Sequence, residues 1–242
     1  MEKVCLKSFL YHGHEVDLYT YGSVVGVPSG VNVMDGREIL EQDKVFTHRK
    51  EGVGKDSVAG FSDHFRYELL NKKGGWWVDT DVVCLKPFKF NDDKVIATSY
   101  EHKWGECAIT CVMKIPQNDP ILEYCLSKIE NINRREIEFG DIGPHLLQEA
   151  VQKLEAQNTL VEHNTFCPIG WRDTDQFVKP YLYRNLLNLK RSIEGRKKVL
   201  ISEKSCAVHL WNQFWREENI DKDGSHPWSS VYERLKRKYK VN

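Results

Sequence analysis

The chain has 242 residues, 40% apolar and 29% charged, and its basic and acidic residues balance to a net charge of zero. That fits one large soluble globular domain and excludes a dedicated nucleic-acid binder, which needs a clustered basic excess. No apolar run approaches the ~20 residues of a membrane span, and the opening residues form no basic-then-apolar leader. The expectation is a cytoplasmic protein whose seven scattered cysteines are reduced, buried thiols.

Taken in chain order, residues 3–12 predict a helix capped by Gly13, and residues 17–21 and 31–34 predict strands. Residues 43–58 are polar and glycine-containing, a loop. In residues 59–73, Phe61, Phe65 and Leu69 recur at i, i+4 and i+8, which predicts a helix stopped by Gly74. An apolar strand follows, running through Trp76-Trp77-Val78-Asp79-Thr80-Asp81-Val82-Val83 towards the breaker Pro87. On an extended backbone Asp79 and Asp81 point the same way. Two like charges so close, beside tryptophan and valine, are costly unless a cation lies between them. Carboxylate oxygens suit a hard divalent ion, Mn²⁺ or Mg²⁺, commonly shared with a substrate diphosphate.

Residues 95–99 and 108–113 predict buried strands and residues 120–133 a helix. Pro144 stands where a helix running to about residue 157 would begin. Residues 207–211 predict a late strand. Residues 231–239 predict a basic amphipathic helix with Val231, Leu235 and Tyr239 on one stripe. That helix reads equally as docked on the domain or as lying on an anionic membrane. Alternating strands and helices without repeats or linkers argue an α/β sheet domain, one unit over residues 1–242 with the C-terminal helix at about 228–240.

Asp63 and Arg66, at i and i+3, can meet on their helix; read alone they are a solvent salt bridge. In context, Ser62, Asp63, Arg66, Tyr67, Gly74, Gly75, Trp77, Asp79 and Asp81 together resemble the sugar-binding region of glycosyltransferases with the DXD motif. That superfamily includes bacterial capsular and lipooligosaccharide transferases, alpha-1,4-galactosyltransferases, yeast mannosyltransferases and clostridial glucosylating toxins. Leu6 to Glu15, Gly140 to Leu147 and Ala207 to Asn212 resemble further segments of the bacterial members.

The resemblance implies a GT-A-like mixed sheet flanked by helices. The bacterial members carry an apolar strand ahead of the helix at residues 3–12, so the expectation here is a sheet lacking that first strand. It implies a metal-dependent hexosyltransferase moving a sugar from a nucleoside diphosphate donor to a glycan or glycolipid hydroxyl, with retention of configuration. Asp79, Asp81 and His209 would hold the metal. Ser62, Asp63, Arg66, Trp77, Asp79 and Asn212 would bind the donor, and Asp81 and Asp141 would be catalytic. Peripheral contact with an anionic membrane belongs to the same picture. Two other readings stay open: a sugar- or nucleotide-binding protein with weak or lost turnover, and a toxin-like enzyme that glycosylates a protein.

Overall fold

The computed structural model describes residues 1–48, 51–134, 136–194 and 201–241. Helix α1 (Glu2–Tyr11) buries Val4, Cys5, Ser8 and Phe9, and Gly13 at φ +80° turns the chain into β1 (Val16–Thr20). Strand β2 (Val31–Asp35) lies parallel to β1, Val16 opposite Val31. Helix α2 (Ala59–Lys73) is buried on nearly every side and stops at Gly74. Gly74 sits at φ +64°, where a Cβ would lie 2.9 Å from the Gln117 amide nitrogen, so both conformation and space require glycine.

Strands β3 (Gly75–Val78), β4 (Val82–Cys84), β5 (Val95–Glu101) and β6 (Gly105–Ile115) follow, then helices α3 (Pro120–Glu130) and α4 (Leu146–Lys153). Helix α5 (Tyr181–Ile193), strand β7 (Ala207–His209) and helices α6 (Asn212–Glu217) and α7 (Val231–Lys238) complete the chain. The class is mixed α/β, consistent with a GT-A-like arrangement. Among the described residues its ladders fall into three short sheets: parallel β1–β2, antiparallel β3–β6–β5 and antiparallel β4–β7. Strands β1 and β3 each have one neighbour among the described residues, and both line the same cleft.

Two apolar clusters flank the middle sheet. Successive residues of a strand face opposite ways, so Val95 and Ala97 of β5 join one cluster and Ile96 joins the other. The first cluster includes residues of α1, β4, β7 and α7; the second joins Tyr67 and Leu70 of α2 to α3 and α4. Phe61, Phe65 and Leu69, the predicted stripe, form a third cluster with Ile39. In α7, Val231, Tyr232 and Leu235 are buried, with Tyr239 just beyond, and the Tyr239 hydroxyl donates to the Cys84 carbonyl. The apolar stripe of the C-terminal helix is therefore covered by the domain.

Several boundaries differ from expectation. Asp79-Thr80-Asp81 is not strand but the turn between β3 and β4, closed by the Val82 amide donating to the Asp79 carbonyl at 3.1 Å. Pro144 lies inside a wide turn, Asp141–His145, because Gly143 (φ −99°, ψ −110°) leaves the helical region; regular helix starts only at Leu146. The late strand ends at His209. Helices α5 and α6 were not expected. Among the described residues no helix is long and apolar enough to cross a membrane.

Candidate active site

A cleft of about 1040 Å³ opens between β1, β3, α1 and α2, and its floor is the Asp79–Asp81 turn. The turn holds its shape through main-chain bonds to two other strands. The Asp79 amide donates to the Cys111 carbonyl on β6 at 2.8 Å, and the Leu210 amide after β7 donates to the Asp81 carbonyl at 2.9 Å. This brings ligand atoms of Asp79, Asp81 and His209 within 4.8 Å of one another. His209 Nε2 lies 3.2 Å from Asp81 Oδ2, which also accepts the Asn212 amide at 2.8 Å. That amide points at Asp81 because Trp211 takes the left-handed conformation (φ +61°, ψ +50°) ahead of α6. A tryptophan held there carries backbone strain of the kind that collects at functional sites.

Asp63 and Arg66 are not a solvent pair. Both are buried, at 6% and 5% exposure. The Arg66 guanidinium forks: Nη1 donates to Asp63 Oδ1 at 3.0 Å, and Nη2 donates to Asp79 Oδ1 at 3.1 Å and to Ser62 Oγ at 3.1 Å. Its Cζ lies 5.0 Å from the Trp77 ring centre. Trp77 Nε1 donates to Asp79 Oδ1 at 2.7 Å, so the aromatic expected beside the carboxylates does meet them. Trp76 packs instead among Phe88, Phe90 and Phe166. Thr110 Oγ1 donates to Asp63 at 3.2 Å. A Cβ on Gly143 would come 2.4 Å from Asp63 Oδ2, so the absence of a side chain there lets the loop close over the carboxylate.

The charges are set by burial and by each other. Burial, opposed by Arg66 and reinforced by Asp81, pushes Asp79 up to about 6. Burial would also raise Asp81, but His209 and the Asn212 amide outweigh it and hold its carboxyl below the usual range. His209, which burial alone would push down, is held well above its ordinary value by Asp81 and Cys111. Burial raises Asp63 despite Arg66 beside it. Asp79 thus releases its proton at about 6 and His209 only at higher pH. Two carboxylates and an imidazole suit Mn²⁺ or Mg²⁺, so the residues present fit a divalent cation.

Buried Arg66 Nε and Asn212 Oδ1 have no partner; both residues line the cleft, and a polar ligand could satisfy these atoms. Cys111 and Cys167, 3.7 Å apart, form a second buried group with the same histidine.

The structure thus brings together Ser62, Asp63, Arg66, Trp77, Asp79, Asp81, His209 and Asn212. It does not bring Asp141 to them. The Asp141 carboxylate accepts the Glu138 amide at 2.8 Å and lies 3.7 Å from His145, while its neighbours Gly140 and Pro144 line the cleft. Thr110 and Gly143 were missed, because each reaches Asp63 from a distant segment; Trp211 falls in the Ala207 to Asn212 segment already singled out, and it lines the cleft.

Residues 14–101 match the model of the glycosyltransferase sugar-binding region containing the DXD motif. Residues 115–239, just over half of the chain, match that of the alpha 1,4-glycosyltransferase conserved region. The chain belongs to this glycosyltransferase family. The sugar-binding match spans α2 and the Asp79–Asp81 turn, and the second match contains His209 and Asn212, so the cleft is assembled from both matched regions. Among solved structures, the PaToxG glycosyltransferase is similar at 15% identity over 97% of this chain and 79% of that chain, with a TM-score of 0.48. No curated protein matches the sequence.

Proposed function

We propose that residues 1–242 act as one metal-dependent hexosyltransferase domain, moving a sugar from a nucleoside diphosphate donor to a glycan or glycolipid hydroxyl with retention of configuration. The observation that carries the reading is the convergence of Asp79, Asp81 and His209 in a cleft whose wall is the Asp63–Arg66 pair. Asp79, Asp81 and His209 would hold Mn²⁺ or Mg²⁺. Bound there, the cation supplies Lewis-acid neutralisation of charge on the leaving diphosphate.

The protein's own groups do the rest. Asp63 accepts sugar hydroxyls, Arg66 fixes Asp63 and Asp79 in one orientation, and Ser62 and Asn212 offer polar contacts to the donor. Trp77 keeps Asp79 turned towards the cleft through its indole N–H. Asp81, held ionised, is the central carboxylate of the reaction. Asp141 acts from the acceptor side through the loop it braces. In this reading the protein works in the cytoplasm, at the inner face of a membrane, in polysaccharide biosynthesis.

The test is a screen of donor hydrolysis with and without Mn²⁺. Turnover that needs the ion, and that Asp81→Asn abolishes while the far-ultraviolet circular dichroism is unchanged, is the expected result. Unchanged turnover in Asp81→Asn overturns the assignment. Donor binding without turnover by the unaltered protein favours a binding protein instead.

A further inference from the structure

Helix α5 is amphipathic the wrong way round. Along it, Leu182, Leu186, Leu189 and Ile193 are 70%, 59%, 60% and 79% exposed. At about 100° per residue these four fall within about 60° of arc. The opposite side, which faces the protein, holds buried Asn188 and half-buried Arg184, Leu187 and Arg191, with Arg191 paired to Asp173. An ordinary surface helix buries its apolar stripe and exposes its polar one. This helix turns four large aliphatic side chains to solvent and anchors itself by polar contacts.

The surroundings of the stripe are basic and aromatic. Lys179 precedes the helix with its ammonium 5.5 Å from the Tyr183 ring centre, and Lys190 lies on the flank, 72% exposed, with its ammonium 3.9 Å from the Glu194 carboxylate. The Tyr181 amide at the start of α5 donates to Ser229 Oγ at 3.2 Å, which ties this end to the segment before α7. The next residue back, Trp228, is 75% exposed with the Arg237 guanidinium 4.2 Å from its ring centre. Arg234 of α7 is near enough that, after burial, it is the main influence pushing Arg184 below its ordinary value.

We infer that α5 is the surface by which this protein lies on an anionic lipid bilayer, its leucine stripe in the acyl boundary and its basic neighbours against the headgroups. An in-plane helix of this kind needs an apolar face, a cationic border and interfacial tyrosine or tryptophan; Leu182 to Ile193, Lys179 with Lys190, and Tyr181, Tyr183 and Trp228 supply them. A second copy fits less well. The four apolar residues span only two heptads, short of the three or four that sustain a coiled coil, and the cationic borders of two copies would face each other. The inference deepens the proposed membrane contact without depending on the sugar chemistry.

The experiment is co-sedimentation of the full chain with vesicles of phosphatidylcholine alone and of phosphatidylcholine with an equal part of phosphatidylglycerol. The expected result is salt-sensitive binding to the anionic vesicles only. Leu186→Glu with Leu189→Glu lowers the bound fraction roughly tenfold, and Lys179→Ala with Lys190→Ala lowers it several-fold. Both variants keep the thermal midpoint and the rate of donor hydrolysis in lipid-free solution. Absence of binding to anionic vesicles at low salt overturns the inference, as does wild-type binding by the glutamate variant. A wild-type dimer in light scattering that the glutamate variant converts to monomer overturns it in favour of a contact between copies. Lost vesicle binding with hydrolysis intact bears on this surface alone, and lost hydrolysis with binding intact bears on the transferase reading alone.

Discussion

Arg66 decides the geometry of the cleft because one planar group serves two carboxylates and a hydroxyl. Its fork reaches Asp63 through one nitrogen and Asp79 and Ser62 through the other. A lysine carries the same charge on a single point and cannot span both acids. Arg66→Lys is expected to cost about 1–3 kcal/mol in urea unfolding, since hydrogen bonds to charged groups are lost in a buried setting, and to lower kcat/KM by about tenfold or more. Retention of full stability and activity by that variant would show that the fork is dispensable. Asp63→Ala separates the donor's two halves. If Asp63 grips the sugar, donor binding weakens while free nucleoside diphosphate binding in calorimetry changes little; equal loss of both contradicts the split.

At the scale of elements, the features legible in the sequence were those set by neighbours along the chain. Helix α2 followed from its aromatic stripe and its glycine stop, and the Asp79–Asp81 site from two acids in apolar surroundings. What stayed hidden depends on distant partners. The residues around Asp79 are strand-forming, yet Cys111 and Leu210 pull them into a turn between two sheets. Asp63 and Arg66 read as solvent-facing because the segments that cover them, among them Thr110 and Gly143, lie far away in sequence. Helix α5, with Leu182, Leu186, Leu189 and Ile193 along one side, was not expected, and a stripe left exposed follows only from the packing of its opposite face. For α7 the structure favours docking. Leu235→Ala is accordingly expected to cost about 2–4 kcal/mol of stability, whereas Arg237→Ala, on the exposed face, changes it by less than about 0.5 kcal/mol. Equal effects of the two in chemical unfolding would contradict a structural role for the stripe.

Across the whole molecule, the cleft is where separate parts of the fold meet, and its charge state couples binding to stability. Asp79 has its pKa raised from 3.8 to about 6 in the fold, by burial first, against Arg66 and with Asp81. Between those values the folded protein holds a proton that the unfolded chain has released. By linkage, this group's contribution to stability falls as pH rises from about 4 to about 6. His209 acts in the same sense: its folded pKa lies well above 6.5, so its contribution is present below 6.5 and is lost as pH rises through the folded value. Asp81 acts oppositely, its depressed pKa contributing stability above 3.8 that is lost only in acid. A divalent cation must displace the Asp79 proton and the His209 proton to use these ligands, so its affinity grows with pH. The expected outcome is that saturating Mn²⁺ raises the thermal midpoint more at pH 7.5 than at pH 5.5, and that Asp79→Asn reduces both the shift and its pH dependence. A midpoint shift independent of pH, or one that survives in Asp79→Asn unchanged, would place the cation elsewhere and remove the Asp79–Asp81–His209 cluster as the metal-binding centre.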